Sequence, residues 1–279
     1  MPMVLDPVQA PVCARASFLV TPEGFALAPQ SASDNADMDL GVGVDAGRAL
    51  AQHRALHREL ARHLPAICFP GDAATPDAVF PNNVFGTRPG ALVLGRMRHP
   101  VRQAEAERHD IRGFFTGVLG YAEIDLRRQP GICELTGSMV IDRGRRIGYC
   151  GLSERCDGTG AAALAQAFEL RRLVTFHLAA GEYHANVVLS VLASRAVVLC
   201  LEGFADPALG EAIAAAYGAA AILLTRQEKD AFAANCIALT PDTVFMSEQA
   251  ADALQPATRV ALQRQGFTIL SVALDEQYQ

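Results

Sequence analysis

The sequence repeats one pattern of apolar and polar segments about every 50 residues, and this period constrains the fold more than any other feature. Each copy has an extended segment with a small polar residue, a second strand, a helix and a closing strand. Repeated units of this kind can close radially, because closure removes exposed sheet edges. The sequence therefore predicts an α/β fold in which the polar positions converge on a central pocket. These positions are Asn83, Gly137, Asn186 and Asn235.

We interpret the repeat as a single domain of five units, of which the first is degenerate. In the first unit, Asp45 is expected to cap a helix. The side chains of Leu56, Leu60 and Leu64 share one face of that helix. Residues 24–43 are rich in Gly, Ser, Asn and Asp, which predicts a loop. The five predicted units span residues 14–70, 76–126, 132–179, 182–225 and 228–274.

Each of the four complete units contains one segment with helical periodicity, which predicts one helix per unit. These segments are residues 101–117, 160–173, 207–218 and 247–266.

Composition excludes several classes of protein. Hydrophobic residues make up 51% of the chain and charged residues 19%, which is typical of a globular protein and not of a disordered one. The net charge is -6 and basic residues form no cluster, so nucleic acid is not an expected partner. No apolar segment approaches the ~20 residues that span a membrane, and the N-terminus lacks the pattern of a secretory signal. We therefore expect a cytoplasmic protein without membrane contact.

The seven cysteines give no sign of a metal site or a disulfide framework. Their number is odd, no CxxC spacing occurs, and most lie in apolar segments where a reduced thiol behaves as a small hydrophobic group. We therefore expect neither structural zinc nor a set of disulfide bonds.

Five polar residues near the starts of the repeats are candidates for a site, although each also has an ordinary structural explanation. Asp77, Asn82 and Asn83 are all common turn formers. A carboxylate in an apolar segment, such as Glu134, is often a buried partner of an arginine. A histidine before an apolar strand, such as His184, is often structural. Equivalent positions in a pseudosymmetric ring would nevertheless bring all of them to one cleft.

Three motifs, in this order, resemble a known superfamily: TPDAVFPNN, ELTGSMVIDR and EYHANVVL. They are similar to the guanidino-group-modifying enzymes of the arginine deiminase and amidinotransferase superfamily, and most similar to its arginine-deiminase-related, citrulline-utilisation group. The resemblance extends from ASFLVT to FTILSVAL. It implies the pentein fold, a five-bladed pseudosymmetric α/β propeller, here lacking its terminal strand.

The resemblance also implies a chemistry. In such enzymes a cysteine thiolate attacks the guanidinium carbon, a histidine protonates the departing nitrogen, and carboxylates hold the guanidinium. It makes His184 the general acid/base and Glu134 the carboxylate that fixes the guanidinium. No metal or organic cofactor is implied. The expected partner is an arginine-like small molecule, and association into a homo-oligomer is left open. The implied substrate-binding residues are Asp77, Asn82, Asn83 and Asn186.

Two departures from the superfamily pattern bear on function. Asn83 and Asn186 stand where relatives carry Asp, which argues against free arginine as the substrate. The superfamily also places its nucleophile in a Gly-Gly-rich segment after the strand matched by FTILSVAL, and the 279 residues contain no such segment. Of the cysteines present, Cys236 and Cys13 are the candidates for a substitute, but core packing explains both more simply.

Two classes of function therefore remain open from the sequence. The first is a hydrolase or amidino transferase that acts on the C–N bond of an arginine-like guanidino compound, with its nucleophilic cysteine absent from this chain. The second is a non-catalytic pentein that binds a guanidino ligand or a protein partner, comparable to the pentein translation initiation factor. The net charge of -6 argues against ribosome binding.

Overall fold

A computed structural model of the chain describes residues 11–33, 41 and 43–274, which contain five small β-sheets. The strands are β1 (Ser17–Val20), β2 (Ala66–Phe69), β3 (Phe85–Arg88), β4 (Ala91–Leu94), β5 (Ala122–Asp125), β6 (Met139–Asp142), β7 (Ile147–Leu152), β8 (Arg172–His177), β9 (Leu189–Leu192), β10 (Ala196–Leu199), β11 (Ala221–Leu223), β12 (Ile237–Thr240), β13 (Thr243–Ser247) and β14 (Thr268–Val272).

Short helices connect the strands, and only a few exceed two turns. The α-helices are α1 (Pro29–Ala32), α2 (Ala46–Ala61), α3 (Pro100–Gln103), α4 (His109–Gly113), α5 (Leu135–Ser138), α6 (Gly158–Ala167), α7 (Pro207–Tyr217), α8 (Arg226–Asp230), α9 (Glu248–Ala253) and α10 (Pro256–Arg264). Tighter 3-10 turns cover Pro81–Asn83, Ala104–Glu107, Ala185–Val187, Leu201–Gly203 and Gly218–Ala220, and a wider π turn covers Phe114–Val118.

Four of the sheets have the same topology. In each, the first two strands form an antiparallel hairpin and the third strand lies parallel to the second. An antiparallel pair needs only a short turn, whereas a parallel pair needs a long crossover, which the helices supply. The remaining sheet consists of β1 and β2 in parallel, and within the described residues no third strand pairs with β1.

Buried apolar clusters lie between consecutive sheets. Each cluster contains side chains from two neighbouring units, and one of them joins the first unit to the last. The first and last units therefore pack against each other although they are distant in sequence. Representative pairs within the clusters are Phe69 with Phe85, Val93 with Cys150, Tyr149 with Leu199, Val198 with Val244, and Leu60 with Phe245.

The predicted helix of the first unit is confirmed. The carboxylate of Asp45 accepts hydrogen bonds from the backbone N–H groups of Gly47 and Arg48, which satisfies donors that the first turn of α2 leaves unpaired. The side chains of Leu60 and Leu64 are buried in the cluster that joins the first and last units.

The predictions for segments 247–266, 101–117 and 24–43 were only partly right. The segment 247–266 is two helices, because Pro256 lacks an N–H and begins α10 instead of continuing α9. The segment 101–117 is a series of short turns, in which Arg102 is buried in an ion pair with Glu105. The predicted loop at 24–43 contains the short helix α1, while residues 34–40 and 42 lie outside the described residues.

Within the described part of the chain, no helix has the length and apolar character needed to cross a membrane.

Candidate functional site

A cavity of about 490 Å³ lies where the starts of several repeats meet. This volume is in the range of pockets that hold small organic ligands. Five of the six residues predicted for the site line it: Asp77, Asn82, Asn83, His184 and Asn186. The sixth, Glu134, lies directly behind the wall.

A short helical turn before the first strand of a sheet places most of these side chains. Pro81–Asn83 precedes β3, α5 precedes β6, and Ala185–Val187 precedes β9. His184 and Glu134 occupy equivalent positions, each immediately before its turn, with extended backbone. The repeat therefore brings together residues that are 50 positions apart in sequence.

His184 and Glu134 form a direct buried pair. Nε2 of His184 lies 3.0 Å from Oε2 of Glu134. Because a carboxylate only accepts hydrogen bonds, Nε2 carries the proton and Nδ1 is the basic nitrogen of the neutral ring. Nη1 of Arg155 donates to the same carboxylate oxygen at 3.2 Å, and the backbone N–H of Arg98 donates to the other at 3.4 Å. The carboxylate is thus fixed on both oxygens.

These contacts set the protonation states of the pair. Burial opposes ionisation of Glu134, but the hydrogen bond from His184 and the positive charges of Arg155 and Arg102 outweigh it and lower its pKa to about 2. Burial lowers the pKa of His184, and Glu134 offsets only part of this effect. At neutral pH the site therefore holds a carboxylate and a neutral imidazole. A neutral imidazole can accept or relay a proton.

The expectation that Glu134 opens to the same cleft as Asp77 and His184 was wrong. Its side chain is 0% exposed and is enclosed by His184 and Arg155, so it is absent from the cavity wall. An exposed carboxylate would lose the bond to His184 that holds the ring in place. Of the two sequence interpretations of Glu134, the structure confirms the buried partner of an arginine, which is Arg155, while its role as a site residue stays a prediction.

Asp77 and Asn186 each present one hydrogen-bond acceptor that no donor of the described residues reaches. Within the described residues, Oδ1 of Asp77 and Oδ1 of Asn186 are buried without a hydrogen-bond partner. The other oxygen of Asp77 accepts from the hydroxyl of Ser31 on α1. A buried unpaired acceptor costs about 1–3 kcal/mol, so a ligand that brings N–H donors to this wall would be favoured.

Gly137 permits the close approach of two units at the site. A Cβ atom at this position would lie 2.4 Å from Oδ1 of Asn83 and 2.8 Å from Cε1 of His184, closer than van der Waals contact allows. Asn83 is also held by the amide of Asn82, whose Nδ2 donates to its Oδ1 at 3.1 Å. Any side chain at position 137 therefore displaces residues on the cavity wall.

We expect Gly137→Ala to lower the free energy of unfolding by about 1–3 kcal/mol and to weaken ligand binding, since overpacking moves Asn83 and His184. Urea denaturation and calorimetric titration measure the two effects. Gly158→Ala is the matched control, because no atom lies within 4 Å of the added methyl group. Equal behaviour of the two variants would contradict this account of the site.

Sequence reasoning missed three arginines that line the cavity: Arg102, Arg143 and Arg155. Arg102 makes two hydrogen bonds to Glu105, at 2.5 and 3.1 Å, and Arg155 pairs with Glu134. None of the three stands in a local pattern that distinguishes it from a surface arginine. Only the tertiary arrangement brings them to the cavity.

The two cysteines on the cavity wall are poor nucleophiles. Burial raises the pKa of Cys236 to about 12 and also raises that of Cys13. The thiolate is the reactive form of cysteine, so both are protonated and weakly reactive at neutral pH. In the part of the chain that is described, no three His, Cys, Asp or Glu side chains are grouped so as to hold a metal ion.

The sequence of the chain matches the profile of one protein family. A profile of the family described as N,N dimethylarginine dimethylhydrolase, eukaryotic, matches residues 21–278 of the chain. The chain belongs to the N,N dimethylarginine dimethylhydrolase family. The resemblance to guanidino-group-modifying enzymes that three motifs indicated is therefore confirmed. No curated protein sequence matches the chain.

Solved structures share the mixed α/β fold of this dimethylarginine dimethylhydrolase family member. The N-terminal domain of ArgZ, an arginine dihydrolase from cyanobacteria, is 18% identical with a TM-score of 0.79, and the match covers 94% of this chain and 92% of that domain. Against full-length ArgZ the identity is 19% and the TM-score 0.80, with coverage of 93% of this chain and 38% of ArgZ. The chain thus spans well under half of that enzyme.

A bacterial relative is similar over its full length. DDAH from Pseudomonas aeruginosa is 21% identical with a TM-score of 0.70, and the match covers 95% of this chain and 94% of DDAH. That structure is a cysteine-to-serine variant in complex with citrulline, and the ArgZ domain is a cysteine-to-serine variant bound to its substrate. At these identities, the comparisons establish the fold of this family member.

Proposed function

We propose that the cavity binds the guanidino or ureido group of an arginine-like compound and that the site is arranged to hydrolyse its C–N bond. The observation that carries this proposal is a pair of buried acceptors, Oδ1 of Asp77 and Oδ1 of Asn186, that have no donor among the described residues and lie on the wall that also holds His184. A planar group with several N–H donors fits such acceptors, and charge-assisted hydrogen bonds to a carboxylate are about twice as strong as neutral ones.

We propose the pentein architecture for the whole domain. In this arrangement the five units, residues 14–70, 76–126, 132–179, 182–225 and 228–274, are the blades of a closed ring around the cavity. The shared topology of four sheets supports it, as does the apolar cluster between the first and last units. The first blade lacks, within the described residues, the inner antiparallel strand that the other four have.

In the proposed reaction, the residues of this chain orient the substrate and move a proton. Asp77, Asn186 and the amides of Asn82 and Asn83 hold the planar group. The neutral ring of His184 lies on the same wall, where its basic Nδ1 takes a proton from the attacking water as the C–O bond forms and passes that proton to the departing nitrogen as the C–N bond breaks. Glu134 does not touch the substrate but orients His184 and stabilises its protonated form as the proton moves.

The protonated state of the two cavity cysteines supports a second candidate, a non-catalytic pentein that binds the same class of ligand. Guanidinium is a poor electrophile, and a covalent intermediate divides its hydrolysis into two easier steps. The protonated thiols of Cys236 and Cys13 do not offer that route. Because both candidates use the same cavity wall for binding, they differ in turnover and not in affinity.

We expect the 279-residue chain to bind a guanidino or ureido compound and to turn it over very slowly or not at all. Calorimetric titration with L-arginine, its Nω-dimethyl derivative and L-citrulline, beside L-ornithine, measures binding. A colorimetric assay for citrulline and ammonia on the same samples measures turnover.

Binding of one of the three guanidino or ureido compounds, without binding of ornithine, supports the proposed site. If the chain also turns that compound over, it is the enzyme and not the non-catalytic binder. The Cys236→Ser variant serves as the control. Robust turnover that this substitution abolishes would identify Cys236 as the nucleophile and contradict our assignment of its thiol. If none of the three compounds binds, the proposed function is contradicted.

A further inference from the structure

An ion pair between Glu182 and Lys229 joins the fourth unit, residues 182–225, to the fifth, residues 228–274. Nζ of Lys229, on α8, contacts Oε1 of Glu182. The side chain of Glu182 is 7% exposed and that of Lys229, the only lysine of the chain, is 10% exposed. Neither residue lines the cavity. An effect of this pair on the site must therefore pass through neighbouring residues.

Each partner of the ion pair stands beside a segment of the cavity wall. Glu182 directly precedes Tyr183 and His184, which both line the cavity. In the fifth unit, the backbone oxygen of Lys229 accepts a hydrogen bond from the N–H of Phe232 at 2.8 Å, and Phe232 also lines the cavity. The ion pair therefore joins two loops at the point where each one reaches the site.

The loop that carries His184 has few backbone hydrogen bonds to hold it. Residues 180–184 belong to no helix or strand. The N–H of Glu182 donates to the oxygen of Ala179 at 3.1 Å, which closes a turn within the loop, and the hydroxyl of Ser153 donates to the oxygen of Tyr183 at 2.8 Å. Segments with few such bonds open at a low free energy, so a buried ion pair contributes much to the stability of this loop.

Glu182 depends on Lys229 for its counter-charge. Among the described residues, no other cation pairs with Glu182. Asp230 also lies near Nζ of Lys229, at 3.3 Å, but its carboxylate is 47% exposed and accepts two hydrogen bonds from Nε of Arg226. Separation of the two loops would leave the carboxylate of Glu182 without a partner, and a buried charge without a partner is costly.

We propose that Glu182 and Lys229 are positioning residues, which fix the loop of His184 against the fifth unit and so hold the imidazole ring at the cavity wall. This inference rests on the proposed function, because it concerns how the wall is kept in the form that binds the ligand. Linkage adds a second consequence. If the ion pair favours the form of the wall that binds the ligand, the bound ligand must favour the ion pair to the same degree.

The first test is calorimetric titration of the full chain with butylguanidine and butylurea. The double variant Glu182→Gln, Lys229→Met removes both charges, so it keeps the net charge and leaves no buried charge without a partner. We expect it to bind these compounds about 10-fold more weakly than the native chain. Lys229→Arg keeps the cation and should retain most of the affinity. The control is Arg112→Met, Glu123→Gln, which removes an ion pair of 2.8 Å outside the cavity and should not change the affinity.

The pKa of His184, followed by NMR, gives a readout that a loss of stability alone would not change. Burial lowers this pKa, so water that reaches a displaced ring should raise it towards its ordinary value of 6.5 in the double variant. The charged groups that face the ring are Glu134, Arg155 and Arg102, and the variant leaves all three unchanged. The control variant should show no shift.

Because the chain has one lysine, the linkage can be measured directly. Acetylation of Lys229 by an amine-reactive ester requires the ion pair to open, and mass spectrometry of peptides gives its rate. Saturating butylguanidine or butylurea, which carry no alkylamine, should slow this acetylation about 10-fold although Lys229 is not on the cavity wall. In Lys229→Arg only the N-terminal amine remains to react, which identifies the signal of Lys229.

Unchanged affinity and an unchanged pKa of His184 in the double variant, with acetylation that does not depend on the ligand, would overturn the proposal. The ion pair would then be structural only. If neither compound binds the native chain, the proposed guanidino or ureido site is contradicted. The pKa of His184 in the double variant still tests the positioning role in that case.

Discussion

Replacing Glu134 by Gln is expected to lower the free energy of unfolding by about 3–5 kcal/mol, because it leaves the guanidinium of Arg155 buried without its carboxylate. The amide keeps the size of the side chain, so the loss reports charge and hydrogen bonding and not a cavity. Urea denaturation at neutral pH measures it. Glu169→Gln is the control, since that glutamate is 57% exposed in its ion pair with Arg88 and should cost less than about 1 kcal/mol.

The effect of Glu134→Gln should also depend on pH in a defined direction. The pKa of Glu134 is about 2 in the folded chain, below its ordinary value of 4.5, so the folded state favours the ionised form. Its contribution is then complete above pH 4.5 and is lost as the pH falls towards 2, a total of about 3 kcal/mol. The stability difference between the native chain and the variant should therefore narrow over this range. A difference that stays constant would show that the charge of Glu134 is not its source.

Replacing Asp77 by Asn is expected to separate ligand binding from stability. The amide is nearly isosteric and can still accept the hydrogen bond of Ser31, so the unliganded chain should be as stable as the native one or more stable. The affinity for a guanidinium ligand should fall by about 10- to 100-fold, because the charge-assisted hydrogen bond is lost. Thermal unfolding and calorimetric titration of the same preparation measure both quantities.

The matched control is Asp252→Asn, an exposed residue of α9 with the same change of charge. It should alter neither quantity. A large loss of stability in Asp77→Asn would indicate a structural carboxylate, as the turn interpretation of TPDAVF holds, and would count against a binding role.

The sequence predicted the repeated sheets because each strand pair leaves a local signature. These signatures each occupy only a few residues: apolar residues at every second position of a strand, turn residues between strands, and the helix cap at Asp45. The segment containing Pro256 shows the limit of periodicity, since one apolar face continues across two helices. Local pattern describes which face is buried and not whether the backbone is continuous.

The candidate site was less predictable than the fold. His184 and Asp77 were placed in one cavity by the pseudosymmetry of the repeat, which is a property of the sequence. The enclosure of Glu134 depends on the side chain of Arg155, which lies 21 residues later, just after the second strand of the β6–β7 hairpin that Glu134 precedes. The exposure of Arg143 to the cavity likewise depends on packing between units. Such contacts leave no local pattern in the sequence, because the residues around an arginine do not distinguish one at the surface from one at a cavity wall.

The most direct test of the binding mode is a crystal structure of the 279-residue chain with Nω-dimethyl-L-arginine or L-citrulline bound. We expect the planar carbon–nitrogen group of the ligand to donate hydrogen bonds to Oδ1 of Asp77 and Oδ1 of Asn186, two buried acceptors that have no donor in the described part of the chain. His184 should keep its 3.0 Å contact with Glu134 and lie beside a nitrogen of that group. A ligand bound with its planar group elsewhere, leaving both acceptors unpaired, would contradict the account.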